Sequence, residues 1–160
     1  MIKVLFVCHG NICRSPMAEF ILKDMVDKEG RGAEFYIRSC ATSTEEIWNG
    51  VGNPVYPPAA KELRSHGITG FESKRAVQLR RSDYDEYDYI LCMDAYNVRN
   101  SLRILGADPE SKVKRLLDLS SDPRDISDPW YTGDFRMAYD DIAYGCSMLM
   151  KYLGYNQTYG

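Results

Sequence analysis

A cysteine, an arginine and a serine stand close together in CHGNICRS (8–15), directly behind the apolar run KVLFVC (3–8). Gly10 permits backbone angles that other residues resist, and Asn11 tolerates the left-handed region while locking a loop with side-chain hydrogen bonds. A loop between a strand and a helix N-terminus can turn its N–H groups inward and form an anion nest, which the helix dipole reinforces. Arg14 adds a planar fork that fits two phosphate oxygens. Curled into a bowl, residues 8–15 would bring Arg14 over an anion with Cys8 beneath it. The positive field favours the thiolate, and Ser15 can donate a hydrogen bond to that sulfur. A thiolate under a bound phosphate monoester is a nucleophile for attack on phosphorus. His9, Gly10, Asn11, Ile12, Cys13, Arg14 and Ser15 are therefore the expected phosphate-binding residues.

The leaving alkoxide needs a proton, and a carboxylic acid on a loop is the usual donor. Asp122, Asp125, Asp128 and Asp134 all lie in the 120–135 loop, and chemistry alone does not choose between them. Exposed Trp and Tyr are costly unless they bind something. Trp130 and Tyr131 in that loop, and Trp48 in the 41–58 loop, are thus candidate binding aromatics.

These residues need a scaffold. KVLFVC reads as a strand buried on both faces. A helix is predicted over 15–30, capped by Ser15 with Pro16 in its first turn and stopped by Gly30. Its apolar face holds Met17, Phe20, Ile21, Met25 and Val26. Further strands are expected at 34–40, 76 onward (passing into a helical turn by 87), 88–94 and 112–119. Further helices are expected at 58–67, 95–106 and 136–154. Strands alternating with helices give an α/β fold, a three-layer sandwich with a four-stranded parallel sheet, extended to a fifth element if 76–79 joins it. In such flavodoxin- or Rossmann-like sheets, ligands sit beyond the carboxyl ends of the strands, where Cys8 lies. One domain over 1–154 with a short tail at 155–160 fits the 160 residues.

Composition narrows the function classes. The net charge of −3 gives no field for nucleic acid. No run approaches a membrane span and no signal peptide opens the chain, so a cytoplasmic protein is expected. Cys8, Cys13, Cys40, Cys92 and Cys146 are odd in number, contain no C-x-x-C and accompany only two histidines. That argues against a disulfide framework and a structural zinc site. Cys40, Cys92 and Cys146 read as core, and His66 as a helix-end residue before Gly67. No metal or cofactor is required, because loop amides and Arg14 supply the positive charge.

VCHGNICRSP (7–16), the order of elements and the late DPWY (128–131) together resemble the low-molecular-weight protein tyrosine phosphatases over nearly the whole chain. The resemblance implies hydrolysis of phosphotyrosine through a cysteinyl-phosphate, with Cys8 as nucleophile, Arg14 binding phosphate and Asp128 as acid then base. It implies Ile12, Trp48, Trp130 and Tyr131 as the substrate-binding wall, and Asn11, Ser15 and Ser39 as support behind the loop. It further implies Cys13 as a reversible disulfide partner for Cys8, tyrosine-phosphorylated proteins as partners, inhibition by phosphate-like oxyanions, and a monomer or weak homodimer. Three departures stand out: His9 after the nucleophile, Thr132 where the family often has tyrosine, and Lys74 where it often has a histidine near the loop asparagine. A relay arsenate reductase would need two more cysteines on a mobile segment, whereas Cys92 lies within the strand-like YILCMD. A protein arginine phosphatase carries threonine where this chain has Ile12. A binding module without turnover would lack the nucleophile or the acid. Tyr152, Tyr155 and Tyr159 could be kinase targets, although helix packing by Tyr152 ahead of a frayed tail is the simpler reading.

Overall fold

The computed structural model describes residues 1–155. Strand β1 (Ile2–Cys8) lies at the centre of a parallel sheet with β2 (Phe35–Ala41), β5 (Tyr89–Cys92) and β6 (Val113–Arg115), in the order β2-β1-β5-β6. The unbroken apolar character of β1 now has its reason. Val4, Phe6 and Cys8 enter one core while Leu5 and Val7 enter the other, because alternate residues of a strand face opposite ways. The first core is closed by helices α1 (Arg14–Lys28), α2 (Pro57–Ser65) and α6 (Phe135–Tyr152). The second is closed by α3 (Asp83–Glu86) and α4 (Ala95–Leu105). The three-layer α/β sandwich is thus present, with its site at the carboxyl edge of the sheet. In register there, Cys8 lies beside Ala41, and Val7 beside Cys92.

Several elements differ from expectation. Helix α1 starts at Arg14, so Ser15 lies inside its first turn and does not cap it. The Ser15 hydroxyl turns instead to Cys8 Sγ, at 2.9 Å. Gly30, at φ 71°, does end the helix, with the Arg31 N–H donating back to the Val26 carbonyl. The 41–58 segment is not all loop. It carries a hairpin of β3 (Ile47–Trp48) and β4 (Val51–Gly52), turned by Asn49 and Gly50, both at positive φ. Asn-Gly is the usual residue pair of such a two-residue turn. The strand expected from 76 is reduced to a single bridge between Ala41 and Gln78. One reason is that the Val77 N–H goes to Asn11 Oδ1. The strand expected over 112–119 ends at Arg115 and passes into a 3-10 turn, Leu116–Leu119. The 120–135 loop contains one helical turn, α5 (Pro129–Thr132). Tyr155, expected in the tail, packs on Phe35 with ring centroids 5.5 Å apart. Tyr152 is exposed and meets Tyr89 edge-on, and Tyr159 lies outside the described residues.

Candidate active site

The phosphate loop is built by turning its carbonyls outward. Thr42 N–H donates to the Cys8 carbonyl at 2.9 Å. Ser43 donates to the His9 carbonyl from both N–H and Oγ, and Tyr56 N–H donates to the Ile12 carbonyl. A trans peptide points its C=O and the next N–H in opposite directions. The N–H groups of His9, Gly10 and Cys13 therefore turn toward the bowl. Asn11 takes φ 60°, a left-handed conformation that asparagine tolerates, and its N–H reaches Cys8 Sγ at 3.3 Å.

Behind the bowl lies a closed polar network. Asn11 is 1% exposed. Its Nδ2 donates to Ser15 Oγ (2.8 Å) and Ser39 Oγ (3.0 Å), while its Oδ1 accepts from Val77 N–H (3.1 Å). Asn11, Ser15 and Ser39 are thus brought together as supports. The Asn11 and Ser15 side chains sit behind the loop rather than on the cleft surface. Ser39 Oγ in turn meets Glu19 Oε1 at 2.6 Å, and Lys74 Nζ donates to the Ser39 carbonyl at 2.9 Å.

Arg14 is 3% exposed and held firmly. It donates to Asp94 Oδ2 and to the Ile126 carbonyl, both at 2.7 Å, and approaches Asp128 Oδ2 at 3.4 Å. Burial opposes the guanidinium charge. The neighbouring Cys8, Asp128 and Asp94 outweigh it and raise the Arg14 pKa. Asp94 caps α4, with Oδ1 accepting from Asn97 N–H. Sequence reading missed it, and its place directly before a helix, after an apolar strand, was the available signal.

Asp128 caps α5 by accepting the Trp130 N–H on Oδ1, which leaves Oδ2 facing Arg14. Of the four loop aspartates, Asp128 lines the cleft. Asp125 is tied to Ala95 N–H and Arg115, Asp122 pairs with Arg124, and Asp134 caps α6. The chain leading into Asp128 is anchored by Ile126 N–H to the Met93 carbonyl and by a two-pronged Arg124–Asp141 pair.

The cleft has Cys8, Gly10, Ile12, Cys13 and Arg14 at its base and Trp130 and Tyr131 on one wall. The other wall is His9, Glu45 and Glu46, with His9 Nε2 2.9 Å from Glu45. Trp48, the expected aromatic on this side, is 80% exposed and does not line the cleft. Ile47 packs toward the Ile12–Cys13–Ala76 cluster, so strand alternation sends Trp48 to the opposite face. Glu45 and Glu46 were not anticipated, since nothing in their local pattern separates them from solvated loop charges. Thr132 ends the helical turn that carries the aromatics. His66, expected only as a helix end, also stacks on Tyr139 and meets Glu62 at 2.8 Å.

All five cysteines are free and buried. Burial raises the thiols of Cys13, Cys40 and Cys146, and pushes Cys92 up to about 12. Cys8 differs from these four in carrying the Asn11 N–H and the Ser15 hydroxyl on a sulfur that lines the cleft. Among the described residues no cluster of His, Cys, Asp and Glu is arranged to hold a metal ion.

The profile of the family described as low molecular weight phosphotyrosine protein phosphatase matches residues 3–158. The low molecular weight protein-tyrosine-phosphatase YfkJ of Bacillus subtilis (strain 168) is 41% identical, with 94% of each chain covered. The low molecular weight phosphotyrosine protein phosphatase of Gallus gallus is 37% identical over 92% of this chain and 93% of its own. The crystal structure of YfkJ superposes with a TM-score of 0.88, covering 96% of this chain and 94% of that one.

Proposed function

The chain belongs to the low molecular weight phosphotyrosine protein phosphatase family and is a protein tyrosine phosphatase acting on phosphoproteins, and we propose that it works through a cysteinyl-phosphate on Cys8. The phosphate dianion binds the loop amides and Arg14. The Cys8 thiolate attacks phosphorus in line, forming the S–P bond as the P–O bond to the tyrosyl oxygen breaks. Asp128 gives its proton to that oxygen, so tyrosine leaves neutral. Asp128, now a carboxylate, takes a proton from water as the water oxygen attacks phosphorus. Inorganic phosphate leaves and the Cys8 thiolate is restored. Arg14 and the loop amides stabilise the charge on the equatorial oxygens in both steps.

The observation that carries this reading is the convergence, on one cleft, of Cys8 at the base, Arg14 beside it and the Asp128 carboxylate 3.4 Å from that arginine. Ile12, Trp130 and Tyr131 offer an apolar wall for an aryl group, which favours phosphotyrosine over phosphoserine or phosphoarginine. Phosphate and vanadate are expected to compete for the same bowl. Cys13, in the same loop and lining the same cleft, is the proposed disulfide partner protecting Cys8 from further oxidation. Five free thiols suit a reducing compartment, and a cytoplasmic setting is proposed on that ground. Among the described residues no helix is long and apolar enough to cross a membrane. The exposed aromatic rim fits a monomer or a weak homodimer.

The test is release of phosphate from phosphotyrosine, phosphoserine and phosphoarginine peptides with EDTA and reductant present, comparing wild type with Cys8→Ser. Turnover of the phosphotyrosine peptide alone, abolished in the variant, is expected. Turnover of phosphoarginine alone would replace the substrate assignment, and retained activity in Cys8→Ser would remove the covalent mechanism.

A further inference from the structure

The four-residue turn α5 carries Asp128 at its N-cap. Its N–H groups close on the turn itself: Tyr131 and Thr132 donate to the Asp128 carbonyl, Gly133 to the Pro129 carbonyl, and Asp134 to Thr132 Oγ1. A single helical turn is marginal in water unless packing supports it. Pro129 is buried, whereas Tyr131 is 83% exposed and Trp130 53%. Trp130 packs on Tyr56, with ring centroids 4.8 Å apart and planes inclined at 53°. Such tilted pairs suit the quadrupoles of aromatic rings. Tyr56 also reaches Phe135, the first residue of α6, at 6.0 Å between centroids. Its ring therefore meets the chain on both sides of Gly133, whose φ of 74° ends the turn.

Tyr56 can serve as a fixed post because its own backbone is pinned on both sides. Its N–H donates to the Ile12 carbonyl at 2.9 Å, and its carbonyl accepts the Ala60 N–H of α2 at 3.0 Å. Pro57 follows directly, and a residue before proline is confined to extended backbone, where Tyr56 lies at φ −59° and ψ 133°. Just before it, Pro54 bridges Arg75. The same residue is thus tied to the phosphate loop by its backbone and to the acid turn by its ring. It is half-buried and is not among the side chains that line the cleft. The link from the ring to the carboxyl is the Trp130 backbone. Trp130 N–H holds Asp128 Oδ1 at 3.0 Å, whereas Oδ2 meets Arg14 at 3.4 Å. The shorter contact does more to orient the carboxyl, so a displaced Trp130 takes with it the group that aims Asp128.

We propose that Tyr56 is a positioning residue for the acid step: its ring, fixed to the phosphate loop through the Ile12 carbonyl, holds Trp130 and with it the N–H that points the Asp128 carboxyl at the leaving oxygen. This rests on the reading of Asp128 as the general acid. Tyr56 touches neither substrate nor the reacting atoms. Loss of its ring leaves Cys8, Arg14 and their hydrogen bonds in place, so the attack on phosphorus persists and protonation of the leaving group suffers. That loss costs most where the leaving oxygen is most basic. A tyrosine that merely filled space would, once removed, lower the rate by one factor on every aryl phosphate.

The experiment measures kcat/KM at one fixed pH on aryl phosphates running from dinitrophenyl through nitrophenyl to unsubstituted phenyl. This parameter covers the steps up to departure of the leaving group and excludes the later hydrolysis of the cysteinyl-phosphate. The variants are Tyr56→Leu, Tyr56→Phe, Asp128→Asn and the double variant Tyr56→Leu/Asp128→Asn. Tyr56→Leu is expected to lose about five- to tenfold on phenyl phosphate and less than about twofold on dinitrophenyl phosphate. Tyr56→Phe keeps both ring contacts and should stay within about twofold of wild type across the series. In the Asp128→Asn background, Tyr56→Leu should cost less than about twofold on phenyl phosphate, because the acid it positions is already gone. An equal loss on every substrate, a Phe variant as poor as the Leu variant, wild-type rates in Tyr56→Leu, or full additivity with Asp128→Asn would each overturn the proposal. If Tyr56→Leu does not fold, Tyr56→Met fills the gap without a ring and enters the same cycle. Asp128→Asn reports on the acid itself. Leaving-group dependence in Asp128→Asn but not in Tyr56→Leu removes the role of Tyr56 alone, whereas its absence from Asp128→Asn removes the acid reading and the role of Tyr56 with it.

Discussion

The two sides of the cleft are made by opposite means. On the phosphate side, Asn11, Ser15, Ser39 and Arg14 are almost wholly buried, and each is bound to two or more partners. On the rim, Trp130 and Tyr131 are 53% and 83% exposed, and the Glu45 and Glu46 carboxylates line the other wall. Buried polar groups are costly to leave unpaired, so the phosphate side has one arrangement and holds it. Exposed side chains meet no such constraint. On the proposed mechanism, bond making falls to the rigid side and substrate choice to the rim.

The strongest way to break this contrast is Asp128→Asn, a change on the boundary between the two sides. It keeps the Trp130 N–H cap through the amide oxygen but removes the transferable proton. The rate should fall by about 10²–10⁴ on a peptide with a poor leaving group and much less on an activated aryl phosphate. Equal losses on both substrates would remove the acid role. Next comes Asp94→Ala, which leaves the buried Arg14 with the Ile126 carbonyl and Asp128. A loss of about 10- to 100-fold in kcat/KM is expected, with inorganic phosphate inhibiting more weakly. Unchanged inhibition by phosphate would show that Asp94 does not hold the arginine.

Changes on the rim should be smaller and should appear in KM. Tyr131→Ala should raise KM by about three- to tenfold with kcat nearly unchanged, since an exposed ring binds ground state and transition state alike. A fall in kcat would move Tyr131 to the rigid side. Smallest is Glu46→Gln. It should improve kcat/KM by about two- to threefold on phosphotyrosine peptides with acidic flanks and leave basic-flanked ones unimproved, a difference that salt should erase. Equal effects on both peptides would show that the acidic wall does not sort substrates.

The same division marks what could be read without the fold. The phosphate loop was legible because its parts are neighbours in the chain. A buried strand, a glycine, an asparagine at positive φ and a helix start within a few residues leave few alternatives for the backbone. The parallel sheet was legible from the apolar run of β1, since only a strand covered on both faces can be apolar at consecutive positions. Asp128 was reached through the DPWY resemblance, and four loop aspartates would otherwise have remained equal. The Asn49–Gly50 hairpin carried a recognisable turn signal that a Gly- and Pro-rich loop reading obscured.

What the sequence by itself determined is therefore local: the loop cysteine, the arginine, the loop between them and the alternation of strands and helices. What only the tertiary structure decided is which distant groups meet them. Asp94 reaches Arg14 across 80 residues, Ser39 reaches Asn11 across 28, and Lys74 reaches Ser39 across 35. None of these pairs has a spacing that a helix or strand period would reveal. They meet because the order β2-β1-β5-β6 brings the carboxyl ends of strands from separate parts of the chain to one edge. Trp48 is the converse. Its type suggested a wall, but alternation in a two-residue strand committed Ile47 inward and left the tryptophan to solvent.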